Sequence, residues 1–318
     1  MKNIVTIGGG SGQFILLSGL RDVENISIKA IVSMVDSGGS TGRLRDELGV
    51  LPPGDILKCL LALSTGREYA RKILQKRFVC DNRLNGHNAG NMLLSILSQY
   101  AGNFPDGVRA LGEVLSIKGE VLPVTVDKAT LVAELTDGGY LFGESVIDVP
   151  RGNTRGKIKK TYLVPHHAET VKVHPPVLKA IKNANYIVVG PGDLFSSIIP
   201  NFLVDGVKNE IKKTRAKIIY VLNIMTKFGE TDNYWGEDFV YDLEKAMGRK
   251  VDYVIVNSGI IDKDVLKPYK KQKAELVKMH RDKSWNGRTV IREDIVNFSG
   301  GVIRHDEDKL AEIIKRII

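Results

Sequence analysis

The most informative stretch of the chain is Ser33-Met34-Val35-Asp36-Ser37-Gly38-Gly39-Ser40-Thr41-Gly42-Arg43-Leu44-Arg45. It places an acid, three glycines, several hydroxyls and two arginines at the end of the apolar run 28–35. Glycines let the backbone turn tightly enough to aim several N–H groups at one point, hydroxyls add donors, and an arginine fork matches phosphate oxygens. The stretch therefore predicts an anion-binding loop that follows a β-strand.

A second glycine-rich turn, Gly8-Gly9-Gly10-Ser11-Gly12, follows the apolar run 4–7 near the amino terminus. The helix-like run 13–20 lies between the two apolar runs. This order predicts a βαβ unit with parallel strands and a right-handed crossover. Two consecutive strand ends would then carry loops of the same kind, and two such loops suggest a nucleotide as the ligand.

The rest of the chain continues the alternation of strands and helices, which predicts an α/β fold with a mostly parallel sheet and a single domain over residues 1–318. The middle differs, because short strand-like runs and turns predict a small antiparallel β insertion over residues 119–165. Its predicted turns are Asp137-Gly138-Gly139 and Arg151-Gly152-Asn153, and its predicted strands cover 121–126, 129–135, 141–149 and 158–164.

Polar loops follow the later predicted strands as well. They are Gly190-Pro191-Gly192-Asp193, the segment 223–230 that begins with Asn223, and Asn257-Ser258-Gly259. Open α/β folds bind ligands where the carboxyl ends of their parallel strands line one edge of the sheet. Five loops that are distant in sequence are therefore expected to face one crevice, in which Asn223 and Asn257 would bond a sugar or a base.

Known phosphate-binding motifs do not match these loops. Gly8 and Gly10 satisfy the first two positions of the dinucleotide fingerprint, but Gln13 stands at the third, and the chain has no Gly-Lys-Ser/Thr sequence of a P-loop. The glycine loops therefore indicate a phosphate site without identifying the nucleotide. A dehydrogenase that binds NAD is a weak alternative, since no residue suited to hydride transfer is evident.

Three side chains are candidates for chemistry. Asp36 would accept hydrogen bonds from ribose hydroxyls or hold a divalent cation. Alternatively, it would only brace the glycine loop. Asp55 is predicted to cap an apolar helix and is a second candidate ligand for a cation or an acceptor. His87 would act as a general base, as a phosphate donor or merely precede a helix, and a binding role is favoured over catalysis.

Tyr269 and Arg304 each have two interpretations. Arg304 precedes the last predicted helix, where it would either reach a diphosphate or form a surface salt bridge of little energetic value. Tyr269 would offer its ring to a base or a sugar. The residues alone leave this choice open.

Composition narrows the class of protein. With 318 residues, 43% of them hydrophobic, the chain is predicted to be globular, and Cys59 and Cys80 fit a reducing compartment. No apolar stretch approaches the roughly 18–20 residues of a membrane span, and the first residues enter a strand at once, so a cytoplasmic protein is expected. The net charge is +9, but acidic residues interrupt the lysine-rich segments, and no stacking aromatic residues lie beside the basic ones. This pattern favours an anionic metabolite over nucleic acid as the ligand.

The chain resembles the gluconeogenesis-factor (YvcK-like) family, which is related to the 2-phospho-L-lactate transferase CofD. The matching segments span nearly the whole chain in family order. They are Gly8-Gly9-Gly10-Ser11-Gly12, the run from Asp36 to Arg45, Leu51-Pro52-Pro53-Gly54-Asp55, Gly86-His87-Asn88-Ala89-Gly90-Asn91, Gly190-Pro191-Gly192-Asp193-Leu194 with Ser197-Ile198-Ile199-Pro200-Asn201, Asn223-Ile224-Met225-Thr226 with Gly229-Glu230-Thr231, and Gly301-Val302-Ile303-Arg304-His305-Asp306.

The resemblance implies a Rossmann-like three-layer fold and binding of UDP-sugars such as UDP-N-acetylglucosamine. It also implies a role in growth on gluconeogenic carbon and in cell shape and wall synthesis, with no assigned reaction. It ties Tyr269 and Arg304 to UDP-sugar binding. In the transferase branch an acid at the position of Asp36 helps to hold the acceptor and a divalent cation. Here Ser37 follows Asp36, where most members carry a second acid.

The expected function is that of a regulatory protein that binds a nucleotide sugar. Its binding residues would be Gly9, Gly10, Ser11, Gly12, Asp36, Gly38, Gly39, Ser40, Gly190, Gly192, Asn223, Tyr269 and Arg304. The alternative is a Mg²⁺-dependent transferase of a phosphate-linked group, with Asp36, Asp55 and His87 as catalytic candidates. A NAD-like dinucleotide would use the same groove. A homodimer and a partner among cell-wall or metabolic enzymes are compatible with either function.

Overall fold

A parallel β-sheet organises the computed structural model, which describes residues 1–81, 84–150, 154–280, 285–298 and 301–318. The strands are β1 (Lys2–Gly8), β2 (Ile26–Val32), β3 (Glu120–Pro123), β4 (Ala129–Leu135), β5 (Tyr140–Phe142), β6 (Ile158–Pro165), β7 (Tyr186–Val189), β8 (Lys217–Val221), β9 (Tyr253–Asn257), β10 (Thr289–Glu293), β11 (Val296–Asn297) and β12 (Arg304–His305).

Helices connect these strands and cover the sheet. They are α1 (Gly10–Leu20), α2 (Gly39–Leu48), α3 (Gly54–Leu63), α4 (Arg67–Leu74), α5 (Ala89–Tyr100), α6 (Phe104–Val114), α7 (Glu144–Asp148), α8 (Pro175–Lys182), α9 (Ile199–Leu203), α10 (Val207–Lys213), α11 (Gly236–Met247), α12 (Lys263–Lys271) and α13 (Glu307–Ile317). A short π-helical turn, Leu194–Ile198, precedes α9. Across the described ranges, no helix has both the length and the apolar character needed to cross a membrane.

The main sheet has the strand order β10-β9-β8-β7-β1-β2-β3, and every neighbouring pair is parallel. The chain runs outward from β1 to β2 and β3, and then returns to the other side of β1 as β7. The topological switch point therefore lies between β1 and β7, which is where doubly wound folds bind their ligands.

The burial pattern of the central strands shows that both faces of the sheet are covered. The last five residues of β1 are all buried, as are the last four of β8. Strands buried on both faces are typical of a parallel sheet between two helical layers. One layer contains α1 packed on α3 and α13, and the other contains α9 packed on α10 and α11. The Rossmann-like three-layer fold is thus confirmed.

The antiparallel insertion is also confirmed, as a three-stranded sheet in which β4 lies between β5 and β6. Its Asp137-Gly138-Gly139 turn joins β4 to β5, with the Gly138 φ at +87°. The second predicted turn, Arg151-Gly152-Asn153, falls outside the described residues. The core is continuous from β1 to Leu131 and Ile158 of the insertion. This continuity agrees with one domain over 1–318, which stays a prediction.

Two predicted strands of the 119–165 insertion are corrected. The run 121–126 contributes β3, which pairs parallel to β2 at the edge of the main sheet, because its buried Val121 and Leu122 extend that core. The run 141–149 is not one strand, because Gly143 adopts a φ of +94° and ends β5, after which α7 begins.

Helix starts differ from the sequence prediction in a way that matters for the site. Asp55 is not the cap of α3: the N-cap is Pro53, and Asp55 lies in the first turn. This position leaves the Asp55 carboxylate free to contact other loops. Likewise, α1 begins at Gly10 and α2 at Gly39, so the predicted glycine loops are themselves the first turns of helices.

Candidate functional site

The loop after β1 touches the loop after β7 at the switch point between these two strands. A β-carbon built on Gly12 would lie 1.8 Å from the Pro191 carbonyl oxygen, and one built on Gly9 would lie 2.9 Å from Ser197 Cβ. Any side chain at these two positions would overlap the neighbouring loop. Glycine is therefore required here for close approach of the two loops. A binding role for Gly9 and Gly12 stays a prediction.

The loop after β2 and the start of α3 join the same place. A β-carbon on Gly10 would lie 2.3 Å from Asp55 Oδ1, and one on Gly54 would lie 2.3 Å from Thr41 Oγ1 and 3.0 Å from Asp36 Oδ2. The start of α3 therefore lies against the start of α1 on one side and against the loop after β2 on the other. The loops after β1, β2 and β7 form one continuous surface with the amino end of α3.

Three helix N-termini consequently meet in one region. The N-cap residues of α1, α2 and α3 are Gly9, Gly38 and Pro53, and none of the three caps its helix with a side chain. The first N–H groups of a helix have no partner within that helix and carry the positive end of its dipole. Such N-termini are ready-made binding sites for phosphate. Their convergence is the strongest chemical feature of the site.

Two aspartates and a lysine lie among these helix starts. Asp36 accepts from Gly38 N at 2.9 Å, and Lys58 Nζ lies 2.9 Å from Asp55 Oδ1 and 3.1 Å from Ser11 Oγ. Burial raises the pKa of Asp36, and the nearby Asp55 carboxylate raises it further. Burial alone would lower the pKa of Lys58, but the charges of Asp55 and Asp36 raise it, so this lysine stays charged.

Helix α7 brings a third carboxyl group from the insertion. Glu144 Oε2 lies 3.4 Å from Ser37 N, and Ser37 Oγ accepts from Ser145 N at 3.0 Å. Burial raises the pKa of Glu144 to about 8, with further contributions from Asp36 and Asp148. The residue directly after Asp36 thus holds α7 against the site.

A second acidic group surrounds Lys227 beside the loop after β7. Its carboxylates, from Asp148, Asp193 and Glu230, have oxygens within 4.8 Å of one another. Lys227 Nζ contacts Asp148 and lies 2.7 Å from Asp193 Oδ2 and 3.9 Å from Glu230 Oε1. Burial raises the pKa of Glu230 to about 7, with Asp193 adding to the effect. Glu230 also accepts from Ser196 N at 3.1 Å, which fixes the turn before α9.

His87 lies at the start of α2 rather than among the carboxylates. Its side chain is buried, and Nδ1 is 2.9 Å from Ser40 Oγ. Burial lowers the pKa of His87, with Arg43 adding to the effect, so the ring is neutral at physiological pH. This contact braces the first turn of α2. A role for His87 in catalysis stays a prediction.

Residues matched to UDP-sugar binding lie beyond the end of β8. Tyr269 Oη accepts from Ile303 N at 2.6 Å, and its ring packs against a small apolar cluster that includes Ile303. His305 Nε2 bonds the Leu222 carbonyl at 3.0 Å, which attaches this segment to the residue before Asn223. Arg304 is exposed, and nothing in the described part of the chain forms a hydrogen bond or ion pair with its guanidinium.

The two asparagines at neighbouring strand ends differ. Asn223 Oδ1 is buried and has no hydrogen-bond partner among the described residues. Asn257 Oδ1 accepts from Gly259 N at 3.1 Å and Ile295 N at 3.2 Å, and its Nδ2 donates to the Gly259 carbonyl. Asn223 Oδ1 is therefore available to a ligand within the described structure, whereas the Asn257 side chain holds two loops together. A ligand contact by Asn257 stays a prediction.

Comparison with known families agrees with the sequence resemblance. Residues 4–296 match the family described as 2-phospho-L-lactate transferase CofD. The chain belongs to the CofD family. Among its relatives, the gluconeogenesis factor of Bacillus subtilis is 38% identical over 98% of this chain and 96% of its own length. The gluconeogenesis factor of Listeria monocytogenes is 36% identical over 98% of this chain and 94% of its own.

The fold agrees with this membership. A solved crystal structure of a Bacillus halodurans protein is 37% identical to this CofD-family chain, with a TM-score of 0.92 and 99% of each chain covered. The recognised family and the three-layer fold are both confirmed.

Several site residues of this CofD-family chain escaped the sequence analysis. Lys58 contacts Ser11 across 47 positions, and Glu144 contacts Ser37 across 107. No local motif marks such pairs. The one usable signal was a charged Lys58 inside the apolar run 56–63, where a purely structural helix would carry an apolar or neutral residue.

Proposed function

We propose that this chain is a regulatory protein that binds a nucleotide sugar of the UDP-N-acetylglucosamine type. In this proposal it acts in the cytoplasm and links sugar-nucleotide levels to growth on gluconeogenic carbon and to cell shape and wall synthesis. A homodimer and a cell-wall or metabolic enzyme as partner belong to the same proposal. The carrying observation is that the uncapped N-termini of α1, α2 and α3 meet at the switch point of the sheet.

The phosphate end of the ligand would lie over these N-termini. Gly9, Gly10 and Gly12 let the start of α1 pack closely against neighbouring loops. Because these residues have no side chain, none of their own atoms covers their backbone N–H groups. The start of α2 is more open, because a β-carbon on Gly39 would meet no described heavy atom within 4 Å. Backbone N–H groups at helix starts favour a diphosphate because they combine directed donors with the helix dipole.

The nucleoside end would extend toward β8. From β1 to β8 there are two strand spacings, about 10 Å, a distance that a diphosphate and its ribose can cover. Asn223 Oδ1 offers a buried acceptor at the end of β8 that no described residue uses. The guanidinium of Arg304, which has no hydrogen bond or ion pair within the described residues, would add a charged fork for phosphate. Tyr269 supports this segment through its bond to Ile303 N.

A Mg²⁺-dependent transferase of a phosphate-linked group is the second candidate, because the matching family is described as 2-phospho-L-lactate transferase, with Mg²⁺ as part of this proposal. The residues present do not fit a resident Mg²⁺ ion, which needs near-octahedral oxygen ligands. Asp36 already accepts from Gly38 N and the Thr41 hydroxyl, and Asp55 Oδ1 is bonded to the Lys58 ammonium.

The test is binding of UDP-N-acetylglucosamine, measured by calorimetry and thermal unfolding, with UDP and NAD as comparison ligands. A ligand concentration of 100 times Kd would stabilise the fold by about 2.7 kcal/mol. We expect UDP-N-acetylglucosamine to raise Tm and Arg304→Ala to abolish the rise while leaving Tm without ligand unchanged.

The matched control is Arg109→Ala, which removes an exposed arginine that pairs with Asp106 on α6. It should keep the full response to the ligand. Absence of any shift with a nucleotide sugar in the unaltered chain would contradict the proposal. Turnover of a phosphate-linked donor with Mg²⁺ that Asp36→Asn removes would favour the transferase instead.

A further inference from the structure

We infer that the ammonium group of Lys58 takes the place of a divalent cation at the Asp36 and Asp55 carboxylates, so that this site receives its anionic ligand without a metal ion. The identity of the ligand rests on the proposed function. The role of Lys58 does not, because it follows from contacts within the protein.

The position of Lys58 carries the inference. Its Nζ atom bonds Asp55 Oδ1 at 2.9 Å and Ser11 Oγ at 3.1 Å, so it bridges the starts of α3 and α1. The Lys58 side chain is 38% exposed, whereas that of Asp55 is 16% exposed. The ammonium is therefore held by two protein oxygens, and part of the Lys58 side chain reaches the surface.

The donor count of an ammonium group fits a ligand at this place. Lysine has three N–H donors and no acceptor, and two of them are used by Asp55 and Ser11. The third donor is left for a phosphate oxygen over the helix N-termini. A divalent cation commonly bridges carboxylates to phosphate, and Lys58 supplies the same bridge with a single charge.

The second acidic group, around Lys227, is also paired with a lysine. Across the described ranges, the carboxylates whose oxygens lie close enough together to hold a metal are those of Asp148, Asp193 and Glu230. Lys227 Nζ contacts Asp148 and lies 2.7 Å from Asp193 Oδ2, which places an ammonium among them. The Asp55 carboxylate and the carboxylates of Asp148, Asp193 and Glu230 thus each have a lysine as counter-ion.

The first experiment titrates Mn²⁺ into the ligand-free, full-length protein and records the bound fraction by electron paramagnetic resonance. We expect no specific Mn²⁺ binding by the unaltered chain or by Lys58→Arg, which keeps the charge. Lys58→Met leaves Asp36 and Asp55 without a counter-ion, and we expect it to gain one Mn²⁺ site that Asp36→Asn then removes. Lys72→Met, at an exposed lysine paired with Glu68 on α4, is the matched control and should gain none.

The second experiment measures the affinity for UDP-N-acetylglucosamine by calorimetry in EDTA and in Mg²⁺. We expect equal affinity of the unaltered chain in both buffers. Lys58→Met should bind about tenfold more weakly in EDTA, the loss expected for one charge-assisted hydrogen bond, and Mg²⁺ should restore part of it. Far-UV circular dichroism checks that Lys58→Met is folded.

The outcomes separate the two proposals. Specific Mn²⁺ binding by the unaltered chain that Asp36→Asn abolishes, or ligand binding that requires Mg²⁺, overturns the role of Lys58. No binding of the nucleotide sugar in either buffer overturns the proposed function alone, and the Mn²⁺ titration then decides about Lys58 by itself.

Discussion

The α-carbon of Gly12 faces the carbonyl oxygen of Pro191 so closely that a β-carbon at position 12 would lie 1.8 Å from that oxygen. Gly12 lies in the first turn of α1, after β1, and Pro191 follows β7, the strand beside β1. The contact therefore closes the two halves of the sheet at their switch point. Because both partners are backbone, neither can move aside as a flexible side chain would.

Gly12→Ala should force these loops apart. Overpacking of this kind typically costs about 1–3 kcal/mol, so we expect a lower free energy of unfolding and loss of the stabilisation by UDP-N-acetylglucosamine. Urea unfolding with and without the ligand measures both effects. Gly66→Ala is the control, because a β-carbon there has no heavy atom within 4 Å and its φ of −92° suits alanine. Normal stability and binding of Gly12→Ala would refute the close approach.

Asn223 and Asn257 allow a comparison between binding and folding. Asn223→Ala removes a buried acceptor without a described partner, so we expect unchanged or slightly higher stability and an affinity for the nucleotide sugar reduced about tenfold. Asn257→Ala removes three internal hydrogen bonds and should lower the free energy of unfolding by about 2 kcal/mol. Chemical unfolding and calorimetry on both variants measure the difference. Equal loss of stability in the two would contradict a ligand role for Asn223.

The parts of the fold that could be predicted are those that depend on a few consecutive residues. Apolar runs followed by glycine-rich turns predicted β1 and β2 and the loops after them, because strand burial and turn geometry each depend on few consecutive residues. From parallel strands alone it followed that loops such as Gly9–Gly12 and Pro191 share one edge. The structure places these two loops in contact, as expected, and a ligand-binding crevice beside them stays a prediction.

The remaining parts depend on pairing that local sequence does not encode. Whether Val121 and Leu122 join the main sheet or the insertion depends on the free edge of β2, which no local pattern describes. From sequence, Lys58 resembles an ordinary surface residue of a helix. Its contact with Ser11 becomes visible only when α1 packs beside α3. For the same reason the group formed by Lys227 and its three carboxylates was not predicted, because its members come from α7 and from the loops after β7 and β8.

Glu144 links the insertion to the site through its charge. Burial raises the pKa of this carboxyl in the folded chain to about 8, from an ordinary value of 4.5, and the Asp36 and Asp148 charges add to the effect. The folded state therefore holds the Glu144 proton more tightly than the unfolded state does. Its contribution to stability is complete below pH 4.5 and is lost as the pH rises toward 8.

Glu144→Gln keeps the shape of the side chain and removes this titration. Relative to the unaltered chain, we expect the variant to be more stable at pH 8 by on the order of 2 kcal/mol, since part of the full effect is screened by solvent, and to show no such gain at pH 4.5. Urea unfolding of both proteins at the two pH values measures the difference. Glu134→Gln, on β4 of the same insertion and paired with Lys159, is the control.

The same substitution bears on ligand binding, because the ionised Glu144 would repel a diphosphate over α2. We expect Glu144→Gln to bind UDP-N-acetylglucosamine more tightly than the unaltered chain at pH 8, and with equal affinity where Glu144 is protonated. Calorimetry across this pH range provides the measurement. An affinity gain that does not depend on pH would mean that Glu144 acts through packing of α7 against Ser37 rather than through its charge.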